Sequence, residues 1–407
     1  MNLRCSTPGD LLVEKGFLAF YAFETARDLL LGKEPGVIRI LTDADLLQLS
    51  RLFPDAVHGK NWGTHMRCES DGVSGASGAS GTSGASGDGA SIVRFYVSEY
   101  PVERVVRIPG VIEHKRQLLL NAAPSALFNV NCFFYDIEEG IFRDPLDQYE
   151  MLKRGILETV ERPEELSRRC PALALKTARV FSETGFSLAE PLTAFLNSPG
   201  CVRDFRKTGD EIIEDFAAIC LSGRAFEAFS LLDEWGVLRH LLPELTALKE
   251  VNQDKDHHPE GNGFTHTLRC LKFVKKPAVN LIMAILLHDT GKAFTESSAK
   301  KMRAFPNHSN VSTGIAKKVL ARFRFSADDE EEVLFLVQNH MILDAVKRLP
   351  KSIMRRIFGS PYFPNLLELY RADLESGYHD VHNYYHAARM YKEFLRVDRL
   401  NQQGVYA

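Results

Sequence analysis

Apolar residues recur at spacings of three and four through almost the whole chain after Cys170, in "ALALKTARVFSETGF", "EIIEDFAAICL" and "AFEAFSLLDEWGVLRHLLPEL". That spacing places them on one face of a helix and predicts a helical body. Before Cys170 the pattern is mixed. Short β-rich runs ("GVIRILT", "IVRFYV", "ALFNVNCFFYD") alternate with helical ones ("ETARDLLLG", "DADLLQLSRLF"). The fold class is therefore α+β: a small N-terminal α+β head, an all-α neck and an all-α C-terminal domain. The expected boundaries are 1–150, 151–250 and 251–395, with a tail at 396–407.

"THMRCES" and "SIVRFYVSEY" read as the two arms of a hairpin, separated by the run "SGASGASGTSGASGDGAS" over 74–91. That run has too little apolar surface to offset the entropy of ordering it, so disorder is expected there. Loop-closure cost grows slowly with length, and such an insertion need not unfold the hairpin.

Composition narrows the class without choosing a function. At 407 residues, with 45% hydrophobic and 25% charged residues, the chain is an ordinary globular protein with room for two or three cores. No run approaches a membrane span, and the N-terminus lacks the pattern of a signal peptide, so a cytoplasmic protein is expected. The seven cysteines are scattered without a CxxC pair, which suggests neither a zinc ribbon nor a disulfide framework. A net charge of -3 gives no global pull toward nucleic acid, and no DNA partner is expected. One local exception is Lys347, Arg348, Lys351, Arg355 and Arg356, five cations in ten residues on what reads as the start of a helix. A phosphate-facing stripe and a solvated face both fit it.

The chemistry concentrates in "GNGFTHTLRCL", "LIMAILLHDTGK", "FPNHSNVSTGI", "FLVQNHMI" and "LYRADLESG". These runs carry His266, His288, Asp289, His308, His340 and Asp373, in or beside helical apolar segments. Neutral imidazoles with adjacent carboxylates suit a borderline or hard divalent ion, and Asp289 can bridge two. This order resembles the HD superfamily of metal-dependent phosphohydrolases: His, His-Asp, a distal Asp, and two further His in binuclear members. The resemblance implies that His266, His288, Asp289 and Asp373 hold one ion and His308 and His340 a second, with Asp289 shared. It marks Asp289, His308 and His340 as catalytic as well. Lys292, one turn after His288, either holds a substrate phosphate or is a solvated residue near a helix end. The ligand types accommodate manganese, nickel, iron, zinc or magnesium, as one ion or two.

A second resemblance spans about Gly16 to Gly377. The ordered pieces "RDLLLG", "TDA", "NVNCFFYD", "FRDPLDQYEMLKRGILETV", "SGRAFEAFSLLDEWGVLRHLLPEL" and "HHPEGNGFTHTL" are similar to those of class II tRNA nucleotidyltransferases and bacterial poly(A) polymerases. Some bacterial members of that family carry a C-terminal HD domain. Its nucleotide-adding chemistry uses two carboxylates at i and i+2 on a strand to hold magnesium. In "GVIRIL" those positions are Val37 and Arg39, a hydrophobe and a cation. The family's paired loop glycines correspond to Phe23 and Glu24, and further motif positions are Ser125, Ala126, Leu127 and Glu211.

The expected function is a metal-dependent phosphohydrolase or phosphodiesterase acting on a nucleotide or RNA-end phosphate, joined to an inactive polymerase head. Two alternatives are a non-catalytic tRNA-binding protein and an active CCA-adding or poly(A) nucleotidyltransferase using other carboxylates such as Asp43, Asp45 or Glu99. Possible tRNA binding belongs to all three, and the sequence leaves oligomeric state open.

Overall fold

The structure, a computed structural model, describes residues 7–35, 38–54, 57–58, 66–69, 92–97, 111–202, 210–251, 261–295, 305, 307–377 and 381–402. Side chains are not described at 46, 57–58, 66–69, 92–97, 111–112, 210–211 and 398–402. The expected disordered run 74–91, Val37, Glu99 and the first four residues of "HHPEGNGFTHTL" lie outside the described residues, and so does the side chain of Glu211.

The chain divides into two compact units. The first holds the described residues up to Cys170 together with Phe186–Phe195, and the second holds Pro171–Gly185 and the described chain from Leu196 onward. The expected neck at 151–250 is thus shared between two units and is not a third body. The expected tail also differs, because the last helix runs from His382 to Gln402 and takes in its first residues.

In the first unit helix α1 (Pro8–Glu14) is followed by β1 (Ala19–Ala22), α2 (Glu24–Leu30), β2 (Ile38–Thr42) and α3 (Leu46–Leu52). Strands β3 (Val57–His58), β4 (Met66–Glu69) and β5 (Ile92–Val97), helix α4 (Val111–Ala122), and strands β6 (Phe134–Asp136) and β7 (Ile141–Arg143) follow, with a minor parallel pair, β8 (Ile156–Leu157) and β9 (Ser187–Leu188), and short helices at Tyr149–Lys153 and Pro163–Arg169. The larger sheet runs β3-β4-β5-β2-β1-β6-β7. Every pairing in it is antiparallel except β2 with β5. The expected hairpin is present as β4 and β5, with Cys68 opposite Val93. "ALFNVN" is not strand. It forms two 3-10 turns, and only Phe134–Asp136 of that run enters the sheet.

Alternation along the strands builds a core on each sheet face. Phe20, Ala22 and Leu41 pack with Leu118, Leu119 and Phe134 on one side. Ala19 and Ile40 pack with Leu12 and Leu49 on the other. A buried cation, Lys115, joins α4 to the sheet end through Asp136 (3.1 Å), Glu138 (3.0 Å) and Glu139 (2.7 Å).

The second unit is helical, as expected. Helices α5 (Leu173–Thr184), α6 (Asp210–Leu221) and α7 (Ala225–Glu234) precede the segment that carries the motif residues. There α8 (Gly263–Cys270), α9 (Val279–Leu287), α10 (His308–Arg322), α11 (Ala327–Asn339), α12 (Lys351–Phe358), α13 (Phe363–Ser376) and α14 (His382–Gln402) follow in order. Helix α9, "VNLIMAILL", is apolar all round because it is buried all round, from Leu281 to Leu287. The first turn of α11 is acidic, and its Ser326 N-cap accepts from the Asp329 N–H (3.2 Å).

Candidate metal centre

Every metal-ligand candidate sits at a helix end or on an inward helix face of the second unit. His266 projects from α8, whose start is fixed by Asn262 accepting from the Thr265 N–H (2.9 Å). His288 and Asp289 follow the last turn of α9, so the most apolar helix of the unit delivers its two polar residues at its C-terminal end. His308 opens α10, His340 follows α11, and Asp373 lies on α13. Gly291 is what lets these elements close up. A Cβ on it would collide with the backbone carbonyl of His308 and lie 2.7 Å from the Ser312 nitrogen. The Gly291 N–H instead donates to Ser312 Oγ (2.8 Å), tying the His-Asp turn to the helix that begins with His308.

The six residues converge on Asp289, which is 2% exposed. Its Oδ2 lies 3.4 Å from His288 Nε2 and 3.9 Å from His266 Nε2. Its Oδ1 lies 3.4 Å from His308 Nε2 and 3.7 Å from His340 Nε2. Asp373 Oδ1 stands 2.8 Å from His266 Nε2. Two donor sets result: His266, Cys270, His288 and Asp373, and Asp289, His308 and His340. Each set keeps its donor atoms within 4.8 Å of one another.

The second nitrogen of each ring is also placed. His288, His308 and His340 set Nδ1 against the carbonyls of Ile285 (2.7 Å), Phe305 (2.9 Å) and Val337 (2.8 Å), each three residues earlier. With Nδ1–H donating there, Nε2 carries the lone pair and faces the centre. His308 Nε2 and His340 Nε2 then meet at 3.2 Å. Two lone pairs so close repel unless a cation or proton lies between them. His288 Nε2 is buried without a hydrogen-bond partner among the described residues, and the neighbouring Asp289 Oδ2 has an ion pair with Lys292 Nζ (2.6 Å). Unsatisfied buried polar atoms are rare, and this nitrogen faces the other donors, which fits a divalent ion.

The electrostatics agree with that fit. Burial opposes ionisation of Asp289, yet its interactions with His288 and with the Lys292 ammonium hold its carboxyl well below the usual range. Desolvation likewise opposes ionisation of Asp373, and its interactions with His266 and His288 together outweigh it, lowering the group. Burial, followed by the influence of His288, pushes His340 down to about 4, keeping it neutral and able to ligate. Lys292 is not a solvated residue at a helix end. It is buried, its Nζ touches Asp289 Oδ2 at 2.6 Å, and it lines the same cavity. That cavity, ≈ 510 Å³, also brings in Asp344 and Asn383, which the motif did not indicate. Asp344 is held by the Tyr370 hydroxyl (2.9 Å).

The cationic segment continues from the cavity wall. Met341 and Asp344 line the cavity, and a 3-10 turn over Ile342–Arg348 leads into α12. Lys347 and Arg348 therefore sit on the turn, and Lys351, Arg355 and Arg356 on the helix. All five are exposed.

In the head, the positions that resemble the polymerase motif form a different device. Arg39 is buried, and its Nε pairs with Glu24 Oε2 at 2.7 Å. Phe23 keeps a left-handed backbone (φ 56, ψ -127), a conformation suited to glycine, while its ring packs edge-on against Phe134. Arg27 pairs with Asp28 at 2.7 Å. Asp43 accepts from the Leu18 N–H (2.7 Å), and Asp45 caps α3. No helix of the described residues is long and apolar enough to cross a membrane.

Residues 263–373 match the HD domain family, a stretch that opens three residues before His266 and ends on Asp373. The multifunctional CCA protein of Laribacter hongkongensis is 27% identical over 224 residues, 54% of each chain. That of Neisseria meningitidis is 28% identical over 228 residues, 54% of this chain and 52% of its own. The chain thus spans about half the length of the curated relatives it matches. Among solved structures, the Bacillus stearothermophilus CCA-adding enzyme in complex with CTP superposes with a TM-score of 0.55 at 16% identity, covering 95% of this chain and 80% of that one. The Thermotoga maritima CCA-adding enzyme complexed with tRNA gives 0.52 at 13%, covering 94% and 79%. The fold is that of a CCA-adding enzyme, an α+β head with a helical body. Together these findings show a CCA-adding-enzyme fold, similarity to multifunctional CCA proteins over about half of the chain, and an HD domain match over 263–373.

Proposed function

We propose that the HD centre hydrolyses a phosphate ester at a nucleotide or RNA end, and that the head no longer adds nucleotides. One observation carries the reading: two donor sets meet at the buried Asp289, whose Oδ2 lies 3.4 Å from His288 Nε2 of the first and whose Oδ1 lies 3.4 Å from His308 Nε2 of the second, beside a cavity large enough for a phosphorylated ligand. His266, His288 and Asp373 would hold one divalent ion, His308 and His340 a second, with Asp289 between them. Such ions supply Lewis-acid charge that acidifies water and offsets the charge of a phosphoryl group. The protein's own contribution is placement. The carbonyls of Ile285, Phe305 and Val337 fix three imidazoles in the ligating tautomer. Lys292 holds the outer oxygen of Asp289 and presents its positive charge to the cavity, where a phosphate oxygen would dock. The exposed cations from Lys347 to Arg356 favour an RNA end over a free nucleotide, because a longer polyanion can use them.

Inactivity of the head is supported by Arg39 and Glu24. A carboxylate pair that would gather cations is replaced by a buried cation that forms an ion pair with an anion from the glycine-loop position. Asp43 and Asp45 are engaged in loop and cap hydrogen bonds, which weighs against their serving as substitute metal ligands. The relatives named for CCA addition support the opposite reading, so the head needs its own assay.

The test pairs elemental analysis of the purified chain with hydrolysis of bis-p-nitrophenyl phosphate and 2′,3′-cyclic AMP. Wild type is expected to carry metal and turn over, and Asp289→Ala to lose both. An unchanged rate in the variant would reject the assignment. Labelled CTP and ATP with tRNA should show incorporation at background, and robust incorporation would restore the nucleotidyltransferase reading.

A further inference from the structure

The first donor set contains a residue that the HD pattern does not. Cys270 lies one turn after His266 on α8, so both project from the same helix face. Its Sγ is 4.0 Å from His266 Nε2. With metal–nitrogen and metal–sulfur bonds of about 2.1 and 2.3 Å, a shared ion keeps the two donors within about 4.4 Å of each other. The separation fits. His288 supplies an independent sign that this cluster faces a ligand, since its buried Nε2 has no hydrogen-bond partner among the described residues.

The thiol is also held in place. Ser376 donates its hydroxyl to the Asp373 carbonyl (2.8 Å), leaving its oxygen to accept from His266 Nδ1 (3.0 Å) and the Cys270 thiol (3.2 Å). One serine therefore orients two members of the set. An ordinary buried cysteine behaves as a small hydrophobe, and Cys132 and Cys220 fit that description. Cys270 differs in being surrounded by donors.

We propose that Cys270 is a ligand of the ion held by His266, His288 and Asp373. Its thiolate makes that position selective for a borderline, thiophilic ion such as Zn²⁺ or Fe²⁺ over Mg²⁺ or Mn²⁺. On binding, the metal–sulfur bond forms as the S–H proton leaves to solvent. The Asp289, His308 and His340 set offers only nitrogen and oxygen, so the two positions differ in softness and would favour different ions. The inference rests on the reading that the HD centre holds divalent ions.

The experiment is a Co²⁺ titration of the metal-stripped full chain, followed by absorption spectroscopy. Wild type is expected to show visible ligand-field bands and a near-ultraviolet sulfur-to-cobalt charge-transfer band. Cys270→Ser should keep the first and lose the second, and its Zn²⁺ affinity should fall at least about tenfold while Mg²⁺ affinity holds. Ligand-field bands without charge transfer in the wild type, or charge transfer that survives in Cys270→Ser, would overturn the assignment and leave the HD centre standing. Failure of the wild type to bind cobalt would remove the metal reading and this proposal with it. Should Cys270→Ser bind no cobalt, Cys270→Asp supplies an oxygen donor at the same place. Recovery of the ligand-field bands there supports a ligand role, and no recovery overturns it.

Discussion

The HD centre and the polymerase-like position of the head are both places where the family resemblance puts metal chemistry, and they have taken opposite courses. In the HD centre the anions remain, and His288 Nε2 points inward without a hydrogen-bond partner among the described residues. In the head a cation, Arg39, stands at a carboxylate position and is met by Glu24 at 2.7 Å. One position gathers imidazoles and carboxylates around Asp289, and the other pairs a single cation with a single anion. The Phe23 backbone sharpens the contrast, because it holds a glycine-like conformation under a buried aromatic ring.

The strongest way to break this comparison is to remove one group from each site. His288→Ala should lower hydrolysis by at least about a thousandfold, since a ligand and a buried acceptor disappear together. Arg39→Ala should leave hydrolysis within about twofold. It should instead destabilise the first unit by about 1–3 kcal/mol, because Glu24 and the space around the guanidinium lose their partner. Steady-state rates and thermal melts of the two variants decide it. Equal loss of hydrolysis in both would mean that the sites are not independent.

A subtler change acts on placement alone. Gly291→Ala adds one carbon where the His308 carbonyl and the Ser312 nitrogen already crowd. The His-Asp turn and the start of α10 must separate, and a displacement on the order of 1 Å can cost about a hundredfold in rate. Hydrolysis should fall by about that factor, with weaker metal uptake. The same substitution at Gly314, which has nothing nearby, serves as the control and should be silent.

Chelation distinguishes the sites by stability. An ion present at about a hundred times its dissociation constant stabilises the folded state by about 2.7 kcal/mol. Stripping metal should therefore lower the melting transition of the second unit by several degrees and leave that of the first unit in place. Two resolved transitions in calorimetry would show this, and a shift of the first-unit transition would mean that the head binds metal after all.

Legibility from sequence followed the same division. The clustering of the six positions was readable because imidazole and carboxylate at helix ends have few other reasons to recur in that order. Cys270 and Ser376 were equally readable in principle, at i+4 from His266 and i+3 from Asp373, but cysteine and serine are common on helices and spacing alone does not separate them from packing. Gly291 and Lys292 depended on tertiary approach: a close carbonyl for the first, and burial against Asp289 for the second. In the head, the loss of the carboxylates was visible as residue types, but the pairing of Arg39 with Glu24 was not, because it joins a strand to a helix fifteen residues earlier. The return of Phe186–Phe195 to the first unit, beside the pairing of β8 with β9, was not readable, because it lies in a stretch whose pattern is almost wholly helical.

The smallest expected effect tests what the HD centre acts on. Lys351→Glu with Arg355→Glu changes two exposed cations on α12, outside the residues lining the cavity. Hydrolysis of bis-p-nitrophenyl phosphate, which is too small to reach them, should be unchanged. For single-stranded RNA, each lost phosphate contact should flatten the dependence of log affinity on log salt by about 0.7, so the pair should reduce the slope by about 1.4 and weaken binding most at low salt. Filter binding across a salt series measures both quantities. If the slope stays the same while affinity falls, the residues act through folding and not through phosphate. If neither changes, the five cations are a solvated face, and a free nucleotide becomes the better substrate class for this site.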